Sequence, residues 1–215
     1  MTGKQLLALL GLIAAGVLTS YLLQGSRPLG RYVGDNASAV ATLQDDRSPE
    51  VTRGTADLTL VLFTDYQCPA CRKADPAMRS AIIKDGNVRV VYKDWPVFGQ
   101  RSEEAAKVAL AAHRQGIYPS VHQALMGSRR LDDAALRAAV ERSGGNWQRL
   151  QDDLVHHRSA FDDELAKNSW GAFSLGLDGT PGYLIGPFLI EGALNEREFL
   201  QAFAHARARI SQSGS

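Results

Sequence analysis

The chain has 215 residues, enough for one domain or for one domain and a tether. Its composition is that of an ordinary globular protein, 45% hydrophobic and 22% charged. A formal net charge of +1 gives no reason to expect nucleic acid as a partner, and neither an internal repeat nor a low-complexity tract is present.

Lys4 precedes an apolar run from Leu6 to Leu23 that is broken only by Gly11, Gly16, Thr19 and Ser20. A short basic start followed by a hydrophobic segment of near membrane-spanning length reads as a secretory signal or a signal anchor over residues 1–25. No A-x-A site precedes Gln24-Gly25-Ser26, so the reading favours an uncleaved anchor. Either form predicts an extracytoplasmic or periplasmic domain, in the anchored case held to the inner membrane by residues 6–23. Disulfides form and persist in that compartment.

Residues 26–53 are rich in Gly, Ser, Pro, Asp and Arg and are expected to form a linker, with a short helix around Ala37 to Leu43. Leu58-Thr59-Leu60-Val61-Leu62-Phe63-Thr64 is apolar and β-branched, as a buried strand would be. A helix follows, with Ala74, Ala77, Met78, Ala81 and Ile82 at helical intervals. Val88 to Tyr92 reads as a second strand, ending at Asp94-Trp95-Pro96. Residues from about Ser102 to Leu175 are helical in pattern and are punctuated by Gly116, Gly127, Gly144 and Gly145. Gly182 to Ile185 and Phe188 to Ile190 read as a closing hairpin, and Asn195 as the cap of a last helix ending near Ile210.

The chemistry lies in Cys68-Pro69-Ala70-Cys71, which holds the only two cysteines and sits where the first strand gives way to its helix. Pro69 suits the first helical position, because its missing N–H is one that a helix start cannot use. Cys68 then falls near the N-cap, where free N–H groups and the helix dipole favour a thiolate. A structural zinc needs four ligands, and neither a second C-x-x-C pair nor a histidine near the cysteines in sequence is present. A purely structural bridge over so short a loop gains little chain entropy. The pair therefore reads as a redox dithiol, with no metal and no cofactor. Cys68 is expected to be the exposed, attacked sulfur, and Cys71, one turn in, the buried resolving thiol of higher pKa. The five histidines read as surface or partly buried helix residues.

The order of strand, redox helix, strand, helical block, two strands and helix is a thioredoxin-like α/β plan. A helical insertion over about 100–175 separates the β-α-β from the β-β-α unit. Phe63-Thr64-Asp65-Tyr66-Gln67-Cys68-Pro69-Ala70-Cys71 resembles the active-site segment of the DsbA-like thiol–disulfide oxidoreductases. Gly179-Thr180-Pro181-Gly182 resembles the segment that carries the cis-proline of that family, and Lys93 to Gly99 its lead into the insertion. The resemblance implies a thioredoxin-fold domain over 54–212, following the hydrophobic N-terminal helix. It also implies a cis Pro181 facing the dithiol, with the Thr180 backbone pairing an extended substrate segment. Pro69 and Ala70, between the cysteines, would tune the site. Two departures stand out. Leu62 occupies the position of the family's buried acid, with Asp65 on the opposite strand face. Ala70 replaces the histidine of the strongest oxidants. The resemblance implies an enzyme that introduces disulfides into exported proteins or peptides, with a membrane redox partner. The alternatives are a reductase or isomerase kept reduced by such a partner, and a non-enzymatic exported binding module.

Overall fold

In a computed structural model the described residues are 30–45 and 47–213, together with Gln5 and Gly16. In chain order the elements are β1 (Arg31–Tyr32), α1 (Ala37–Leu43), β2 (Glu50–Thr52), β3 (Leu58–Thr64), α2 (Pro69–Asp85) and β4 (Val88–Asp94). Five helices follow: α3 (Gln100–His113), α4 (Tyr118–Gly127), α5 (Asp133–Arg142), α6 (Trp147–His156) and α7 (Arg158–Leu175). The chain closes with β5 (Gly182–Ile185), β6 (Phe188–Glu191) and α8 (Glu196–Ser213).

The strands form one mixed sheet in the order β1-β6-β5-β3-β4-β2. β3 and β4 run parallel, with Leu62 opposite Tyr92 and Thr64 opposite Asp94. β5 lies antiparallel to β3 on its other side, with Leu62 opposite Tyr183. β3 is central and covered on both faces, which is why its sequence is almost continuously apolar rather than alternating. Leu58, Leu60 and Leu62 join a cluster with Met78 and Ile82 of α2 and Phe199 and Phe203 of α8. Val61 and Phe63 point the other way, against Ala172 and Leu175 of α7 and Ala39 of α1. The helices α3–α7 stand between β4 and β5, as the predicted insertion requires.

Local signals explain the helix ends. Asn195 and Glu198 form a reciprocal capping box at the start of α8: the Glu198 N–H donates to the Asn195 side chain at 3.0 Å, and the Asn195 N–H to the Glu198 carboxylate at 2.7 Å. Gly86 ends α2 in the left-handed region (φ 81°), where a side chain would be strained.

The stretch expected as a linker contributes both edge strands and α1. β1 pairs with β6, and β2 with β4. Of its apolar residues Val33 and Ala39 are buried, and Leu43 and Val51 pack partly buried against the core. Its polar residues make a buried ion pair: Lys93 of β4 bonds the Asp45 carboxylate and donates to Ser48 Oγ at 2.7 Å. Burial raises the Asp45 carboxyl, and Lys93 outweighs it, so the group is held well below the usual carboxylate range. The expected signal or anchor, Leu6–Leu23, lies outside the described residues apart from Gly16. Among the described residues no helix is long and apolar enough to cross a membrane.

Candidate active site

The C-terminal end of β3 delivers the chain to Cys68, the N-cap of α2, with Pro69 at the first helical position. The Cys71 N–H donates to Cys68 Sγ at 3.3 Å, so the first turn of the helix aims a backbone donor at that sulfur. From the opposite side the Cys68 thiol donates to the carbonyl oxygen of Thr180 at 3.2 Å. The Thr180–Pro181 peptide is cis. Pro181 is buried and Thr180 half-buried at the head of β5. Gly182 follows because a Cβ there would come within 2.7 Å of the Leu177 side chain.

The four residues of the motif are unequally placed. Pro69 is exposed and Ala70 half-buried. Cys68 was expected to be the exposed sulfur, yet it is 2% exposed, against 3% for Cys71. The Thr180 carbonyl, which sequence reading assigned to a substrate strand, already covers it. Electrostatics distinguishes the two sulfurs where exposure does not. Burial pushes the Cys71 thiol up to about 12, although the backbone at Asp65 and the Thr180 hydroxyl pull it down. Cys71 therefore keeps its proton at neutral pH, while Cys68 holds the helix-start donor.

The loop that bears Cys68 is tied down by its own polar residues. Asp65 is fully buried, and its carboxylate accepts from the N–H groups of Gln67 (2.6 Å), Val97 (2.7 Å) and Phe98 (3.0 Å) and from the Ser102 hydroxyl (2.7 Å). One carboxylate thus joins the active-site loop to the loop that leads into the insertion. Val97 and Phe98 leave apolar side chains exposed beside it, and Gln67 donates to the Phe98 carbonyl at 3.1 Å.

Beneath the loop lies a buried polar chain that sequence reading missed. The Tyr118 hydroxyl donates to the Asp94 carboxylate at 3.0 Å and accepts from Tyr66 at 3.4 Å. The Tyr66 hydroxyl also lies 3.0 Å from His122 Nδ1, and His122 Nε2 lies 3.4 Å from an Asp75 oxygen. Asp75 is held on its other side by Arg79 at 2.9 Å. Burial pushes the Asp94 carboxyl up to about 6, against the pull of His122 and the two tyrosines. Burial also raises the Asp75 carboxyl, but His122 and Arg79 outweigh it and leave the group lowered. His122, read as an ordinary helix residue, is 1% exposed. Its apolar-face position on α4, beside Val121 and Leu125, was the one sequence signal for it.

The chain is similar to known proteins. Residues 59–204 match the family described as the DSBA-like thioredoxin domain. A thioredoxin-like oxidoreductase from Silicibacter pomeroyi is 32% identical, with a TM-score of 0.73 over 80% of this chain and 98% of that one. A periplasmic thioredoxin-like protein from Salmonella enterica serovar Typhimurium is 28% identical, with a TM-score of 0.68 over 80% of this chain and 97% of that one. The Na(+)/H(+) antiporter NhaA 3 of Salinispora tropica is 29% identical over 72% of this chain but only 24% of its own length. The chain thus spans about a quarter of the curated relatives it matches. With the thioredoxin-like sheet, the dithiol at a helix start and the facing Thr180-Pro181 segment, the family match is decisive: the chain belongs to the DsbA-like family of thiol–disulfide oxidoreductases.

Proposed function

We propose that the protein introduces disulfides into exported proteins by exchange at Cys68 and Cys71. The observation that carries this reading is the environment of Cys68 Sγ, which holds a helix-start N–H on one side and a backbone carbonyl on the other. A substrate thiolate attacks Cys68 Sγ of the disulfide. The substrate–Cys68 bond forms, the Cys68–Cys71 bond breaks, and the electron pair leaves on Cys71, which takes up a proton. A second substrate thiolate then attacks its own sulfur in the mixed disulfide and releases Cys68 as a thiolate. The substrate loses two electrons, and the Cys68–Cys71 pair gains them.

Thr180 and Pro181 border the attacked sulfur, and an extended substrate segment would take over the Thr180 carbonyl that the Cys68 thiol now holds. Val97 and Phe98, tied to the active-site loop through Asp65 and Gln67, supply exposed apolar surface for an unfolded chain. Pro69 and Ala70 lie between the cysteines and bring no charge to the thiolate. Reoxidation calls for a membrane redox partner. An extracytoplasmic site of action, with the Leu6–Leu23 segment as signal or anchor, is supported by the similarity to a periplasmic protein and to part of a membrane antiporter.

The test is recovery of activity by a reduced, unfolded protein that needs disulfides. The oxidised wild-type chain should accelerate recovery in stoichiometric amounts. The Cys68→Ser/Cys71→Ser protein should not. Equal recovery with both would leave only a binding module.

A further inference from the structure

The helix α7 is apolar on two faces. Ala172 and Leu175 pack inward against Val61 and Phe63 of β3. Trp170 and Phe173 lie on the outer face, 71% and 72% exposed, with their ring centroids 6.3 Å apart. Among the described residues no other aromatic pair has both rings so exposed. Apolar side chains on both faces mark a helix that is covered on both.

Two observations say what the cover is. The first is where the chain enters the domain. Arg31 Nη2 donates to the Leu175 carbonyl at 2.8 Å, so the start of the folded domain lies against the last turn of α7. Leu23 and Gly30 are seven steps apart in the chain, which can span at most ~25 Å. Trp170 and Phe173 lie within ~8 Å of the end of α7 along its axis. An anchor at Leu6–Leu23 therefore puts this end of α7 within reach of the bilayer surface. The second is area. Two side chains fall far short of the roughly 800 Å² per partner of a stable protein–protein interface. A tethered domain needs no such area, because its tether supplies the effective concentration. Tryptophan is also enriched at the headgroup level of membranes.

We propose that Trp170 and Phe173 form a lipid-contact patch, on which the domain rests against the membrane that holds its own N-terminal segment. This rests on the anchor reading of Leu6–Leu23. The charges that share a cavity wall with Trp170 are already matched: Lys167 pairs with Asp45 at 3.2 Å and lies 4.0 Å from Glu164. The contact is therefore apolar and indifferent to lipid charge. α7 covers the sheet face opposite α2, so a domain resting on these rings turns α2 away from the lipid. The dithiol at the start of α2 is then held on the side open to exported chains.

The full-length chain in vesicles of neutral phosphatidylcholine tests this, with shallow-brominated phosphatidylcholine as the quencher. Trp170 is one of three tryptophans, and Trp95 and Trp147 are half-buried. Wild-type emission should therefore fall by up to about a third on bromination, and emission of the Trp170→Phe protein should hardly fall. Phe173→Asp, a change at an exposed site, should abolish the quenching of Trp170 and leave flotation unchanged. Unquenched wild-type emission, in a chain that still floats with the vesicles after a high-salt wash, overturns the lipid contact and leaves the anchor standing. Trp170 emission that follows protein concentration instead of bromination assigns the patch to a second copy and overturns the lipid contact as well. A chain that leaves the vesicles in the wash refutes the anchor itself, and the lipid patch with it.

Discussion

The Cys68 thiol and the Thr180 carbonyl meet at 3.2 Å across 112 residues of chain, and this contact joins the two halves of the active site. It caps the sulfur in the resting state with a group that a substrate strand would use. On the proposed function, a substrate strand that pairs with the Thr180 backbone would release Cys68 in the same exchange of hydrogen bonds.

Cys71→Ser should accumulate mixed disulfides at Cys68, and Cys68→Ser should accumulate none. The reason is the unequal environment of the two sulfurs, since burial pushes Cys71 up to about 12. Its thiol therefore stays protonated at neutral pH. Peptide mapping of adducts formed with a thiol-containing substrate checks this. Adducts on Cys71 in the Cys68→Ser protein would reverse the assignment.

Ala70→His should make the disulfide a stronger oxidant. Cys68 Sγ accepts one backbone N–H, from Cys71, and Ala70 adds neither charge nor hydrogen bond. A positive imidazole beside the thiolate stabilises the reduced state, by about tenfold in the equilibrium constant or about 30 mV. The equilibrium of the Ala70→His dithiol with glutathione, measured beside that of the wild type, should show this shift. An unmoved equilibrium would mean that this position does not tune the site.

Asp94→Asn should stabilise the fold at neutral pH and have little effect in acid. Burial pushes the Asp94 carboxyl up to about 6 in the folded chain, whereas it is near ~3.9 when unfolded. The native state therefore binds the proton more tightly. Stability from this group is full below about pH 4 and is lost as pH rises through about 6. Asparagine can still accept from the Tyr118 hydroxyl without bearing the charge. The gain should be on the order of 1–3 kcal/mol above about pH 7 and should vanish near about pH 4. Thermal midpoints measured across that range test it, and a difference independent of pH would contradict it.

The parts of this molecule legible in its sequence are those set by neighbours along the chain. β3 shows itself in a run of apolar residues because both of its faces are buried. The N-cap position of Cys68 follows from Pro69, and the start of α8 from Asn195. The edge strands β1 and β2 were hidden because an edge strand buries few side chains. Arg31, Tyr32, Glu50 and Thr52 carry no apolar pattern, and their pairing is decided by β6 and β4. The burial of Cys68 depends on Thr180 arriving from the far side of the insertion. The Tyr66–His122 contact spans 56 residues and exists only once α4 has docked, so no local spacing announces it.

The most direct test of the account is the equilibrium reduction potential of the Cys68–Cys71 pair against glutathione. A helix-start thiolate without a neighbouring histidine predicts a value between the reference points of ~−120 mV for DsbA and ~−270 mV for thioredoxin. A value at or below ~−270 mV would mark a reductase and contradict the disulfide-introducing role.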